Sequence, residues 1–280
     1  MESTLNLPPL NITQLLRTHQ LLPKKSLGQN FLIDPAALNR VVSAAEIEPE
    51  QDVLEIGPGL GSLTRYLCAA AKQVVAVEID QNLIPILQDV LRPYSNVTIV
   101  HNDILKVNPA EWMLPGYQVI ANIPYYITSA VIRHLLEAGC RPLRLSLTIQ
   151  REVADRICAQ AGDLSLLALS VQVYGRPHIA AQIAAGSFYP APKVDSSILR
   201  VDLYDEPLIP RAHLDRFFKL VKAGFGQKRK TLRNALSSGL AWPAARTTAL
   251  LETAGIDPQR RAETLSLEEW RAVTNAFLAE

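Results

Sequence analysis

The chain has 280 residues, 48% of them hydrophobic, and a net charge of +1, which suffices for one large domain with a substantial core and a smaller appendage. Its longest apolar runs are broken by charges well short of the ~20 residues that span a bilayer, and Met1 to Leu22 lacks a basic stretch leading into an apolar run and a cleavage site. No membrane helix or secretory signal is expected, and the expected location is cytoplasmic.

Along the first two thirds, apolar runs bounded by turn residues alternate with helical patterns, the signature of an α/β domain with a mainly parallel sheet. The predicted strands are Asp52 to Ile56, Gln73 to Val77, Val97 to Val100, Gln118 to Ala121 and Leu143 to Gln150, with Leu166 to Val173 and Ser196 to Leu203 completing a seven-stranded sheet. Helical spacing runs over Leu63 to Ala71, Leu83 to Leu91, Ala130 to Ala138 and Val153 to Ala159. After Tyr204 the β character stops. Asp205 to Pro210 reads as a linker, and short helices follow, separated by Gly239, Pro243 and the run Gly255 to Pro258. The expected organisation is a leader over 1–22, a catalytic domain over 23–204 and a helical domain over 205–280. Cys68, Cys140 and Cys158 are odd in number and scattered, which fits neither a disulfide framework nor a zinc site; all three are expected as small core residues, with no metal.

The first strand runs into Glu55-Ile56-Gly57-Pro58-Gly59-Leu60-Gly61-Ser62, a glycine-rich turn opening a helix. Gly57 and Gly59 let backbone approach a ligand at the carboxyl edge of the sheet. A dinucleotide fingerprint would place its third glycine at position 62, which is Ser, so the spacing favours a nucleoside ligand without a pyrophosphate. The second strand leads to Glu78, about 20 residues past the loop, where a carboxylate accepts from ribose hydroxyls. The third ends at His101-Asn102-Asp103, and Asp103 could accept from an adenine amine. Either acid by itself could equally be a helix cap; the ordered set suits S-adenosylmethionine best.

The fourth strand ends in Asn122-Ile123-Pro124-Tyr125. The exocyclic amine of adenine is a poor nucleophile because its lone pair is delocalised into the ring, and two acceptors for its hydrogens would localise that pair. The Asn122 side-chain oxygen is one. Pro124 biases Ile123 away from the α region, so the Ile123 carbonyl can be held as the second, while Tyr125 would stack on the base. A second aromatic stands in Phe188-Tyr189-Pro190-Ala191-Pro192-Lys193-Val194-Asp195-Ser196. Phe188 either covers the opposite face of a flipped base or plugs the core beneath a Pro-rich turn.

Charge is uneven. From Asp205 to Glu280 there are 12 Lys and Arg against 9 Asp and Glu, and Lys222, Lys228, Arg229, Lys230 and Arg233 cluster around Phe225. Such a cluster is either a solvated helix face or an RNA contact.

Four motifs in this order, Lys24-Lys25-Ser26-Leu27-Gly28-Gln29-Asn30-Phe31-Leu32, Glu55 to Gly61, Asn122 to Tyr125 and Phe188 to Ser196, resemble the KsgA/RsmA rRNA adenine dimethyltransferases. The likeness covers roughly residues 12 to 280. It implies a class I S-adenosylmethionine-dependent methyltransferase fold, Rossmann-like, with a small all-helical C-terminal domain. The implied activity is N6,N6-dimethylation of two adjacent adenosines in the 3′-terminal hairpin loop of 16S rRNA, during small-subunit biogenesis, by a monomer whose partner is the rRNA or the 30S pre-subunit. Carried over by position, Asn30, Leu32, Gly57, Gly59, Glu78, Asp103 and Asn122 hold the cofactor. Asn122, Ile123, Pro124 and Tyr125 take the target amine, with Phe188 as second stacking ring. The segment Phe225 to Asn234 resembles the family's basic segment, which favours RNA contact for its cations. The chain departs from the family pattern over Ala161 to Ser170, where the loop is short and lacks the usual Tyr-Gly-Arg-Leu-Ser run, and at Asn102, where Gly is common. Met1 to Leu10 lies outside the likeness.

Two enzymatic rivals are the related large-subunit rRNA branch that confers macrolide resistance, whose fit to Lys24 to Leu32 and the basic tail is poorer, and a DNA adenine methyltransferase. A non-catalytic ribosome-assembly or transcription protein retaining the fold is the rival from another class; intact Asn122, Tyr125, Glu78 and Asp103 argue against it.

Overall fold

A computed structural model of the protein describes residues 5–280. The chain divides into two units. One runs up to Ala154 and resumes over His178–Leu203; the other comprises Asp155–Pro177 and Tyr204–Glu280. Residues 155–177, expected with the sheet, group with the C-terminal residues.

In chain order the elements are α1 (Ile12–Thr18), β1 (Phe31–Leu32), α2 (Pro35–Ala45), β2 (Asp52–Ile56), α3 (Ser62–Ala70), β3 (Gln73–Glu78), α4 (Ile84–Leu91) and β4 (Val97–His101). There follow β5 (Gln118–Asn122), α5 (Thr128–Glu137), β6 (Arg144–Gln150), α6 (Arg151–Ile157), α7 (Leu166–Gln172), β7 (Gly175–Ile183), β8 (Phe188–Tyr189) and β9 (Ser196–Leu203). The helices α8 (Leu214–Phe225), α9 (Leu232–Leu240), α10 (Ala244–Thr253) and α11 (Leu267–Ala279) complete the chain. The main sheet has seven strands in the order β4-β3-β2-β5-β6-β9-β7. The pairs among β2 to β6 are parallel and β9 runs antiparallel to β6. Both faces of its centre are buried, so β2, β3 and β5 read as continuous apolar runs instead of alternating ones. Val53, Leu54, Val74, Ala76, Val119 and Ile120 are fully buried there.

Two strands depart from expectation. Leu166 to Val173 is not a strand: α7 begins at Ser165, whose side chain accepts the Ala168 N–H at 3.2 Å, and buries Ala168, Leu169 and Val171. A seven-residue segment, Leu-Leu-Ala-Leu-Ser-Val-Gln, has too little length to separate the two periods, and the cap decides it. The seventh strand is instead β7, whose burial does alternate. Its Pro177 and small Ala180 and Ala181 mask a strand signal, and Pro is tolerated because β7 lies at the sheet edge. Gly239 also proves to lie inside α9. A Cβ there would come within 2.7 Å of the Ala223 Cβ, so its lack of a side chain lets α8 and α9 approach closely.

The leader expected over 1–22 is docked on the first unit over its described part, residues 1–4 lying outside the described residues. Leu5 and Asn39 exchange backbone and side-chain hydrogen bonds at 2.9 and 3.2 Å, and Arg65 Nη2 donates to the Pro8 carbonyl at 3.0 Å. Ile12 and Leu16 of α1 bury against Phe31, Leu60, Leu83 and Ile86. This segment therefore backs the glycine-rich loop.

Strand order reverses at β2, with β3 on one side and β5 on the other. In open α/β sheets ligands bind outside the carboxyl ends of the strands at such a switch point. The ends of β2, β3, β4 and β5 are Ile56, Glu78, His101 and Asn122, the positions from which the candidate residues project.

Candidate active site

A cavity of about 270 Å³ opens there, entirely within the first unit. The turn after β2 forms its floor. Gly57, Gly59 and Gly61 have φ of +66°, +60° and +85°, a region L side chains rarely adopt. A Cβ on Gly57 would meet nothing within 4 Å, whereas one on Gly59 would strike the Phe31 ring at 2.9 Å. Gly57 thus leaves room on the cavity side that a side chain would occupy, and Gly59 allows the 24–32 segment to close over the turn.

Glu78, at the end of β3, is 4% exposed. Its Oε2 accepts the Gly59 N–H at 3.0 Å and its Oε1 accepts the Asp80 N–H at 2.8 Å. These bonds fix the carboxylate plane and tie it to the loop. Burial pushes its pKa up, and the backbone N–H donors offset part of the rise. Asp103 is half-buried at the end of β4, with Oδ1 accepting the Leu105 N–H at 3.0 Å.

Asn122 ends β5 one residue beyond the level of Ile56. Its Nδ2 donates to the Asn30 carbonyl at 2.8 Å, which fixes the amide plane and commits its nitrogen. Ile123 is buried and its N–H donates to Thr148 on β6 at 3.2 Å. The Tyr125 hydroxyl is hydrogen-bonded to Ser196 Oγ at 2.8 Å. Burial raises its pKa, with the Ser196 bond opposing, so Tyr125 remains a neutral phenol.

The cavity is lined by Asn30, Leu32, Gly57, Gly59, Glu78, Asp103, Asn122, Ile123, Pro124 and Tyr125, all expected from sequence. Phe188 is not among them. It pairs with Leu32 across β1 and β8 and is buried at 3% in a core cluster with Leu38, Tyr66 and Leu67. Strand alternation turns its neighbour Tyr189 outward instead, 38% exposed. Lys222, Lys228, Arg229 and Lys230 are exposed and Arg233 half-buried on the second unit, around the end of α8 and the start of α9. Arg246–Glu280 and Arg260–Glu269 are ion pairs of that unit.

Several residues in and behind the cavity wall escaped the sequence reading. Asp80 is buried and receives Lys24 Nζ at 2.7 Å and Gln29 Nε2 at 2.8 Å. Burial pushes its carboxyl up, but these donors and the Asn82 N–H outweigh it and hold the pKa below the usual range. The 24–30 segment is thereby fastened to the end of β3. The acid was visible in Glu78-Ile79-Asp80, but a partner 56 residues away has no local signal. Ile79 and Leu105 line the cavity as exposed apolar side chains, suited to a flat ring. Glu55, at 1% exposure, forms part of the wall, and burial pushes its pKa up to about 8, offset in part by Thr64 and reinforced by the charge of Glu78.

A mostly parallel seven-stranded sheet, with a glycine turn, an acid after β3 and an acid after β4 around one switch-point cavity, defines a class I methyltransferase. The sequence pattern described as ribosomal RNA adenine dimethylase matches residues 21–278. A ribosomal RNA small subunit methyltransferase A of Dehalococcoides mccartyi is 46% identical over 261 residues, 92% of this chain and 89% of that one. One of Lysinibacillus sphaericus is 39% identical over 280 residues, 96% of each. Among solved structures, a dimethyladenosine transferase from Plasmodium falciparum superposes with a TM-score of 0.78 at 26% identity, over 89% of this chain and 98% of that one. The 23S rRNA methyltransferase ErmE does so with 0.71 at 30% identity, over 88% and 99%. The chain belongs to the ribosomal RNA adenine dimethylase family.

Proposed function

We propose that the protein binds S-adenosylmethionine in this cavity and dimethylates N6 of two adjacent adenosines in the 3′-terminal hairpin loop of small-subunit rRNA. The observation that carries the reading is Asn122, whose Nδ2 is held by the Asn30 carbonyl and which lines one cavity together with Glu78 and Asp103.

The donor set fits the cofactor. Glu78 would accept from the ribose hydroxyls, Asp103 from the adenine amine, and Ile79 and Leu105 would flank the adenine ring. Gly57 leaves its Cβ space to the ligand. When bound, S-adenosylmethionine supplies an electrophilic methyl group on a sulfonium.

The chain's own residues prepare the acceptor. A target base turned out of its helix stacks on Tyr125, a contact worth roughly 1–3 kcal/mol. Asn122 Oδ1 and the Ile123 carbonyl accept the N6 hydrogens, two before the first transfer and one before the second, localise the lone pair and share the positive charge that N6 gains as it is alkylated. Each transfer ends with loss of one N6 proton to water. Tyr125, neutral and tied to Ser196, stacks without acting as a base. Catalysis is thus positioning and hydrogen bonding. A dimethylated product retains no N6 hydrogen for these acceptors, which favours release after the second transfer.

The exposed cations at 222, 228, 229 and 230, with Arg233, would neutralise rRNA phosphates. The small subunit is favoured over the large because relatives named for the small subunit are 39–46% identical to the chain, against 30% for ErmE. Such a substrate implies action in the cytoplasm. Replacing Asn122 with Ala tests the reading: methyl transfer to unmodified small subunits should fall below detection while the circular dichroism spectrum is unchanged, and near-normal turnover would refute it.

A further inference from the structure

Tyr126 has no role in the mechanism above, yet it lines the same cavity and is 63% exposed. It follows Tyr125 on a single 3₁₀ turn, Tyr125–Ile127, where successive side chains diverge by about 120°. Two rings so placed cannot stack on one base. Tyr125 is half-buried with its hydroxyl bonded to Ser196, whereas the Tyr126 ring stands towards solvent at the mouth.

The ring is seated on backbone. Gly28 has φ +62°, and a Cβ built on it would lie 3.2 Å and 3.3 Å from Tyr126 Cε1 and Cδ1 and 3.0 Å from the Pro124 Cβ. Gly28 belongs to the 24–30 segment that Lys24 and Gln29 fasten to Asp80. One edge of the ring therefore lies against a fixed turn. Among the described residues its hydroxyl has no hydrogen-bond partner, so the ring's packing, and not its polar tip, is what the site presents.

We propose that Tyr126 is the stacking platform for the base of the nucleotide adjacent to the adenosine undergoing methylation, a purine subsite beside the reacting one. The inference rests on the reading of the cavity as an RNA adenine site. Turning one base of an adjacent pair out of the stack exposes a face of its neighbour, and an aromatic ring at the mouth replaces the lost contact. Because the neighbour is itself an adenosine to be modified, the subsite would hold the second target while the first reacts, and hold the modified base while the second reacts.

The test compares wild type, Tyr126→Ala and Tyr126→Phe on unmodified small subunits, with S-adenosylmethionine binding measured by calorimetry. Tyr126→Ala should raise KM for subunits by about 5- to 150-fold, the loss expected for one base–aromatic stack. Cofactor affinity should be unchanged, and Tyr126→Phe should restore KM to within about twofold of wild type because the π-face is retained. On subunits carrying uridine in place of one of the two adenosines, wild type should lose affinity and Tyr126→Ala should lose much less, since the contact is already absent. An unchanged KM in Tyr126→Ala, an equal uridine penalty in both proteins, or weakened cofactor binding would each overturn the subsite. Failure of the wild type to methylate small subunits at all would instead overturn the reading of the cavity on which the subsite rests.

Discussion

Glu55 gives the sharpest physical prediction, because its carboxyl is walled into the cavity beside a second acid. Its Oε2 has no hydrogen-bond partner among the described residues, and its pKa is pushed up to about 8 by burial, with Thr64 opposing and Glu78 adding to the rise. In the unfolded chain it ionises near the ordinary glutamate value of about 4.3. Between those limits the folded state holds a proton that the unfolded state has released, so stability falls as pH rises, by about 1.4 kcal/mol per pH unit. Replacing Glu55 with Gln keeps the shape and removes the titration. The stability of the variant minus that of wild type should therefore grow by about 3 kcal/mol from about pH 5 to about pH 7, a large part of the ~5–15 kcal/mol typical of a domain. Asp80, Asp202 and Glu46 have pKa values held below their usual range and contribute stability that is lost as pH falls. They are common to both proteins and cancel in the difference. Urea unfolding of both proteins at each pH measures it. A difference that stays constant with pH would refute a protonated Glu55.

Two further predictions concern binding. Glu78→Ala should weaken S-adenosylmethionine binding by about 10- to 100-fold, because both ribose acceptors go together with the tie to Gly59; unchanged affinity by calorimetry would count against the ribose assignment. Neutralising Lys228, Arg229 and Lys230 together should flatten the plot of log affinity for rRNA against log salt by up to roughly 0.7 per lost phosphate contact, and an unchanged slope would make the cluster a solvated face.

The parallel sheet was legible because its central strands are buried on both faces and so appear as unbroken apolar runs; β2 and β9 fall at the expected residues. Gly57, Glu78 and Asn122 were legible for the same reason, since each is the first polar or glycine position after such a run, and Asp103 lies two residues past the end of β4. What escaped was set by tertiary contact. The Ser165 cap made α7 a helix, and edge position admitted Pro177 into β7. Phe188 could be read as either a ring over the ligand or a core plug, and its cross-strand pairing with Leu32 puts it in the core. The Lys24–Asp80 pair and the seat of Tyr126 on Gly28 join segments distant in sequence, and no periodicity reports them.

The central claim is that this cavity transfers methyl groups to N6 of paired adenosines in small-subunit rRNA. Incubating the protein and labelled S-adenosylmethionine with unmodified small subunits, then mapping the modified nucleotides, tests it most directly. Label confined to N6 of two adjacent adenosines in the 3′-terminal hairpin loop, and absent with Asn122→Ala, is the predicted result. Label confined to large-subunit rRNA or to DNA, or transfer that survives Asn122→Ala, would contradict it.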